Sequence, residues 1–217
     1  PVAVQRHLLL AAWECLRGDP QDLEAIHIED MLAALARPVG TRLSLPGGVL
    51  FWVEYDCGGL GWRYDGADNC SFPPLLEEYP LCLPGKTSFP GWEVEASILS
   101  GAERLRQCPG PEKVEDSRFS GGEKVALMAC MDFGLAGQRL WVRRRRPGDR
   151  FQPLSFPSEK KLQDFMVDIK IPRGWRDRVP LVCSPQGLVW VVGYRLADSV
   201  KLTEHTQQVL RLEFKRQ

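Results

Sequence analysis

Leu140-Trp-Val-Arg-Arg-Arg-Arg-Pro-Gly-Asp-Arg-Phe151 is the stretch on which the reading of this chain turns. Leu140 to Arg143 reads as a strand, and Pro147-Gly148-Asp149 as the turn that follows it. Successive strand side chains leave on opposite faces, so about half of Arg143, Arg144, Arg145 and Arg146 point to one surface. The sequence does not choose which half. Four adjacent guanidinium groups repel one another and call for an anion. Their planar forks match phosphate oxygens two at a time, the reason arginine is favoured over lysine for such contacts. Asp149 offers an internal partner to one or two of them. The bland alternative is a solvated strand end paired with acidic residues elsewhere.

Two further basic stretches follow. Lys160 to Asp168 reads as a short helix through Leu162, Phe165 and Met166, with Lys160 and Lys161 in its first turn. Cations there oppose the helix dipole by a few tenths to ~1 kcal/mol, and a phosphate at that end would cancel the penalty. A frayed surface helix is the plain alternative. Lys170-Ile-Pro-Arg-Gly-Trp-Arg-Asp-Arg-Val-Pro180 then offers Lys170, Arg173, Arg176 and Arg178 around Trp175. Arginine beside an aromatic ring suits a nucleic-acid backbone or an unpaired base. Equally, Trp175 could pack on a sheet and Asp177 could pair with a neighbouring arginine. Arg150, just past the turn, completes the candidate set.

Net charge sharpens the asymmetry. The 217 residues carry 28 Lys+Arg and 28 Asp+Glu. Residues 1–137 hold 11 against 20, a balance of −9; residues 138–217 hold 17 against 8, a balance of +9. A basic third on a neutral chain suits a polyanion such as nucleic acid, or docking of the basic part onto the acidic part.

Upstream, Val4, Leu8, Ala11, Ala12, Cys15 and Leu16 have helical spacing over residues 4–17, with Gly18 as a stop. A second helix is expected over about 28–36. The period then shortens: Arg42 to Leu45, a Pro46-Gly47-Gly48 turn and Val49 to Tyr55 read as a hairpin, with another strand at Leu60 to Tyr64. Residues 65–78, rich in Asp, Asn and Pro, suggest a hinge. Strands are expected at 79–83, 92–99, 124–131, 140–143, 181–182 and 188–194, with an exposed loop over 107–123. The expected architecture is α+β: a small helical domain with a β-hairpin at 1–76, then a mainly antiparallel, β-sandwich-like α+β domain at 77–217. A basic core occupies 138–203.

Hydrophobic residues at 44% and charged residues at 26% fit an ordinary globular protein. The longest apolar runs are far too short to cross a bilayer, so no membrane partner is expected. Seven cysteines, none in a C-x-x-C pair, and three scattered histidines imply no metal site and reduced, buried thiols in a cytoplasmic protein. The start at Pro1, running at once into a helical pattern, reads as the cut end of a longer parent.

Five ordered blocks carry a resemblance: Arg143-x-Arg-Arg-Pro-Gly-Asp-Arg-Phe, Lys-Lys-Leu-Gln-Asp-Phe, Asp168-x-Lys-Ile-Pro-Arg, Arg176-Asp-x-Val-Pro-Leu-Val and Val189-Trp-Val-Val-Gly-Tyr-Arg195. Together they resemble the C-terminal domain of the tRNA(Ile)-lysidine synthase family, most firmly from Arg139 to about Thr203. Weaker echoes lie in Pro1-Val-Ala-Val-Gln-Arg-His-Leu-Leu, Leu45-Pro-Gly-Gly and Leu83-Pro-Gly-Lys-Thr. Ser155 departs from the pattern, which has Gly after Pro-Leu. The resemblance implies a fold similar to a domain of the phenylalanyl-tRNA synthetase β subunit. It also implies an ATP-dependent carbon–nitrogen ligase as the parent. Such enzymes adenylate C2 of the wobble cytidine of a CAU-anticodon isoleucine tRNA, and the amine of lysine displaces AMP. ATP with Mg, and lysine, belong to an N-terminal adenylation domain that this chain lacks, so the chain alone is expected to be inactive and to need no cofactor. Its expected partners are that tRNA, gripped along its body and acceptor stem, and the adenylation domain; a homodimer is possible.

Ser120-Gly-Gly-Glu-Lys-Val imitates the family's phosphate loop, but Lys124 and Val125 stand where Asp and Ser belong. The expected reading there is a turn. Two other functions remain in view. A hydrolase related to a synthetase editing domain needs a nucleophile with an acid/base partner, and no such motif is visible. A self-associating protein-interaction module is compatible with RNA binding.

Overall fold

A computed structural model describes residues 1–19, 22–55, 57–62, 70, 72–100, 108 and 127–217. The chain divides into two compact units: Pro1–Asn69 with Pro172–Gly174, and Cys70–Ile171 with Trp175–Gln217.

In the first unit, α1 (Val2–Arg17) ends where the Gly18 N–H bonds to the Glu14 carbonyl with φ at +76°, a left-handed conformation that glycine adopts without a Cβ clash. Helix α2 (Ala25–Leu35) starts three residues before the expected 28. Its entry is fastened by the Glu24 N–H donating to His27 Nδ1 at 3.0 Å, and a Glu/His cap lacks the Ser/Thr signature that sequence reading looks for. Strands β1 (Arg42–Ser44), β2 (Leu50–Val53) and β3 (Gly58–Gly61) form an antiparallel sheet, confirming the hairpin, although β3 begins two residues before Leu60. Trp13, Met31, Ala34, Leu45, Val49, Phe51 and Val53 make the core.

The second unit packs two antiparallel sheets. One has the order β13-β12-β11-β8-β4, from β4 (Tyr79–Pro80), β8 (Trp141–Arg143), β11 (Leu181–Ser184), β12 (Gly187–Val191) and β13 (Arg195–Leu196). The other has the order β5-β6-β14-β7, from β5 (Gly85–Phe89), β6 (Trp92–Ser100), β7 (Leu127–Asp132) and β14 (Gln208–Arg216). Side chains of both meet in one core: the Phe214 ring on β14 lies edge-on to Trp190 on β12, centroids 5.4 Å apart, and Tyr79 stacks on Phe89 at 4.5 Å. Strand β6 alternates buried and half-buried residues, as a strand with one covered face should, whereas every residue of β11 is buried. The α+β, mainly antiparallel reading therefore describes this chain. Phe72 and Leu75 are buried in this second core, which thus begins upstream of residue 77.

Between the sheets' strands lie α3 (Phe133–Ala136), a ribbon of β9 (Arg150–Phe151) with β10 (Lys160–Lys161), and α4 (Leu162–Asp168). Lys160 and Lys161 are thus not in a helical first turn: they pair with β9, and α4 begins after them, with Lys161 as its N-cap residue. Arg144, Arg145 and Arg146 lie beyond the end of β8, so pleat alternation does not govern them.

The cysteines depart from expectation. Cys108 and Cys130 are joined in a disulfide; Cys15, Cys57 and Cys82 are exposed thiols, and only Cys183 is a buried one, with Cys70 half-covered. The glycine-rich decoy at 120–125, most of the loop over 107–123, the first residues of the strand at 124–131 and residues 65–69 and 71 of the hinge at 65–78 fall outside the described residues.

A candidate nucleic-acid interface

The geometry starts at the end of β8. Leu181↔Arg143 and Cys183↔Trp141 register β8 against the fully buried β11, which carries Arg143 into the protein with only 9% of its surface exposed. A buried guanidinium needs a partner, and Asp149 is it: Nη1 and Nη2 donate to the two carboxylate oxygens, each at 2.8 Å. Nη1 also donates to the Arg144 carbonyl at 2.9 Å, and Asp149 Oδ2 accepts the Arg146 N–H at 2.7 Å. Asp149 therefore ties both ends of the loop 144–149. Burial alone pushes its carboxyl up, but the bonds from Arg143 and the Arg146 N–H, with both positive charges, outweigh it and hold the group below the usual carboxylate range. The same hydrogen bond raises the Arg143 pKa against burial.

This scaffold presents a groove of about 580 Å³ lined by Arg145, Arg146, Pro147, Gly148, Asp149, Arg150, Lys161, Leu162, Gln163 and Asp177. The Leu162 N–H bonds to the Asp149 carbonyl at 2.9 Å, seating the start of α4 against the loop. Gly148, at the tip, has φ of +87°, which a Pro-Gly turn supplies and a β-branched residue would not. Four of the sequence-derived cations, Arg145, Arg146, Arg150 and Lys161, converge on this one feature.

The other candidates fall elsewhere. Arg143 is internal and structural. Arg176 is 8% exposed and donates from Nε to the Ile171 carbonyl at 3.0 Å, which fixes the bend after α4. Neither guanidinium presents itself to a large external ligand. Arg144, Lys170 and Arg173 are exposed but do not line the groove; Arg178 is half-buried. Lys160 pairs with Asp168 and lies 5.9 Å from the centre of the Phe156 ring. Trp175 packs against the second core, the plainer of its two readings.

Sequence reasoning offered Asp177 as an arginine partner but missed the groove's other acidic neighbours, Glu78 and Glu159. Arg145 pairs with Asp177 at 2.7 Å, Arg150 with Glu159 at 2.7 Å, and Arg146 with Glu78. Only Asp177 carried a signal, its place in an arginine-rich stretch. Glu78 and Arg146 are 68 positions apart, and no local pattern links them. Gln163, also on the groove wall, is visible in sequence only as part of the Lys-Lys-Leu-Gln block.

Among the described residues that line the groove there is no cysteine, histidine, serine or threonine. Cys183, on the strand paired with β8, is buried, and burial pushes its pKa up to about 11, so it stays protonated at neutral pH. Among the described residues, no group of three or more His, Cys, Asp or Glu is placed to hold a metal ion. No described helix is long and apolar enough to cross a membrane. The arrangement suits binding an extended anion.

Comparison with known proteins bears on which one. Residues 140–214 match the family model described as the TilS substrate C-terminal domain. Over this range the chain carries the C-terminal domain of the tRNA(Ile)-lysidine synthase family. It is 40% identical over 213 residues to the tRNA(Ile)-lysidine synthase of Dehalococcoides mccartyi (strain CBDB1), covering 98% of this chain and 42% of that protein. The tRNA(Ile)-lysidine synthase of Clostridium tetani (strain Massachusetts / E88) is 36% identical over 211 residues, 97% of this chain and 42% of that one. A crystal structure of a TilS C-terminal domain overlays with a TM-score of 0.45 at 22% identity, over 64% of this chain and 98% of that one. The chain thus spans about 42% of the length of these tRNA(Ile)-lysidine synthases and carries their C-terminal part.

Proposed function

We propose that this chain is the tRNA-holding part of a tRNA(Ile)-lysidine synthase, gripping the tRNA body and acceptor stem through the groove at Arg145, Arg146, Arg150 and Lys161. The observation that carries this reading is the convergence of those four cations, from the loop after β8, from β9 and from β10, on one groove. A ridge of guanidinium and ammonium groups over a double-helical stem contacts mainly phosphates and 2′-hydroxyls and reads few bases. In the parent enzyme, ATP with Mg activates C2 of the wobble cytidine of a CAU-anticodon isoleucine tRNA in an N-terminal adenylation domain, and lysine displaces AMP. This chain's contribution is to fix the substrate, at a distance from that chemistry, in the cytoplasm.

The test is binding to an unmodified CAU-anticodon isoleucine tRNA transcript and to a noncognate elongator tRNA across a salt series. Affinity should fall steeply with salt for both. The double variant Arg150→Ala, Lys161→Ala should bind more weakly, with a log–log salt slope flatter by about 0.7–0.9 for each phosphate it no longer neutralises. Unchanged affinity and slope in that variant would remove the groove from the interface.

A second, compatible reading is self-association of the first unit. Val4 and Leu8, one helical turn apart on α1, and Ile26 on α2 are 52%, 62% and 61% exposed. A dimer insensitive to RNA in light scattering, lost on Leu8→Glu, would establish it.

A further inference from the structure

Three of the groove's four cations are already occupied. Arg145 is held by Asp177, Arg146 by Glu78 and Arg150 by Glu159, while Lys161 pairs with no described carboxylate. The three acids come from three separate places in the second unit: the residue before β4, the residue before β10, and the turn after Arg173–Trp175. None is internal. Their side chains are 45% (Glu78), 57% (Glu159) and 68% (Asp177) exposed, in contrast to Asp149 at 13%. A buried carboxylate such as Asp149 is part of the fold, because breaking its pair strands a charge. An exposed one is exchangeable, because both partners regain water when they separate.

We propose that Glu78, Glu159 and Asp177 are displaceable stand-ins for phosphate: they occupy the groove's guanidinium groups in the unliganded protein and set a threshold that only a ligand with several correctly spaced phosphates passes. The inference rests on the tRNA-holding reading above. A carboxylate and a phosphate present the same pair of oxygens to an arginine fork. A single phosphate therefore gains little by replacing one of them. An RNA stem replaces all three at once, with Lys161 as the unopposed point of first contact, and the displaced carboxylates then face the RNA's negative charge. The device lowers affinity for every polyanion and costs a poorly matched one the most, so it acts on selectivity.

The test is the triple variant Glu78→Gln, Glu159→Gln, Asp177→Asn, with Asp177→Asn alone as a second variant. The control, Asp164→Asn, removes the same unit of charge from the exposed first turn of α4, where it pairs with none of the groove cations. The triple variant should bind the CAU-anticodon isoleucine tRNA transcript on the order of tenfold more tightly at low salt. Asp177→Asn should give up to about fivefold, the span of one exposed pair, and the control under about twofold. The triple variant's salt dependence should also be steeper, because arginines no longer trade one anion for another. Discrimination between the isoleucine transcript and a random-sequence duplex RNA should shrink. Affinity equal to the control's, or lower than the unmodified chain's, would overturn the proposal; the second result would mean that the carboxylates aim the arginines instead of competing for them. If Arg150→Ala, Lys161→Ala leaves tRNA affinity unchanged, the tRNA-holding reading itself fails. If that variant weakens binding while the triple variant matches the control, only the competition fails.

Discussion

Arg143 and Arg145 are two residues apart, each pairs with an aspartate, and the two pairs do different work. Arg143 ends a strand that lies against β11, so its fork to Asp149 is largely buried and ties down the loop 144–149. Arg145 is past the strand, and its partner Asp177 is 68% exposed. Burial, not residue type or spacing, separates a structural arginine from a surface one. A run of four arginines is therefore not one functional unit: its first member belongs to the scaffold and the rest to the surface it displays.

Substitution sharpens the contrast most at Arg143. Arg143→Ala leaves the Asp149 carboxylate buried without its fork, and the expected loss of stability is about 3 kcal/mol, measured by urea unfolding. Arg145→Ala should change stability by less than about 1 kcal/mol in the same measurement, because the pair is exposed, while weakening tRNA binding. Equal losses at the two positions would break the comparison.

Acid gives an intermediate effect. Asp149 is held below the usual carboxylate range in the folded protein, so it binds a proton less readily there than in the unfolded chain. Its contribution to stability is complete above the unfolded pKa, ~3.9, and disappears as pH falls through the lower folded value. Asp149→Asn should be less stable at neutral pH and should lose less on acidification below pH 4. Parallel pH–stability curves for the two proteins would assign the acid sensitivity elsewhere.

Much of the scaffold was legible in sequence because its signals are local. Alternation marked β6, the apolar run marked β12, and 3.6-residue spacing marked α1. Strand β14 escaped notice, although Val209, Leu210, Leu212 and Phe214 are all fully buried. Its interleaved Arg211, Glu213 and Lys215 carry charge on a face where pairs such as Lys215–Glu95 replace apolar contacts. Ser155 was legible as a departure from the family's Gly, and its φ of +69° shows why Gly suits the position: the backbone there is left-handed, a region that costs a residue with a Cβ roughly 1–2 kcal/mol. Of the candidate site, the basic residues were visible and their division was not. Which arginines turn inward depends on register with β11, and which acids meet the others depends on segments distant in sequence, Glu78 above all.

Strand β14 sits between β6 and β7 and pairs with both over nearly its whole length, Trp92 opposite Arg216 and Asp132 opposite Val209. During synthesis, therefore, β6 and β7 are made long before the strand that joins them. Each leaves the ribosome with an open hydrogen-bonding edge and an apolar face, the combination most prone to pairing with the wrong neighbour. The arginine-rich loop 144–149 and α4 are translated in that same interval. The nascent protein thus carries its whole arginine-rich stretch before its second sheet can close.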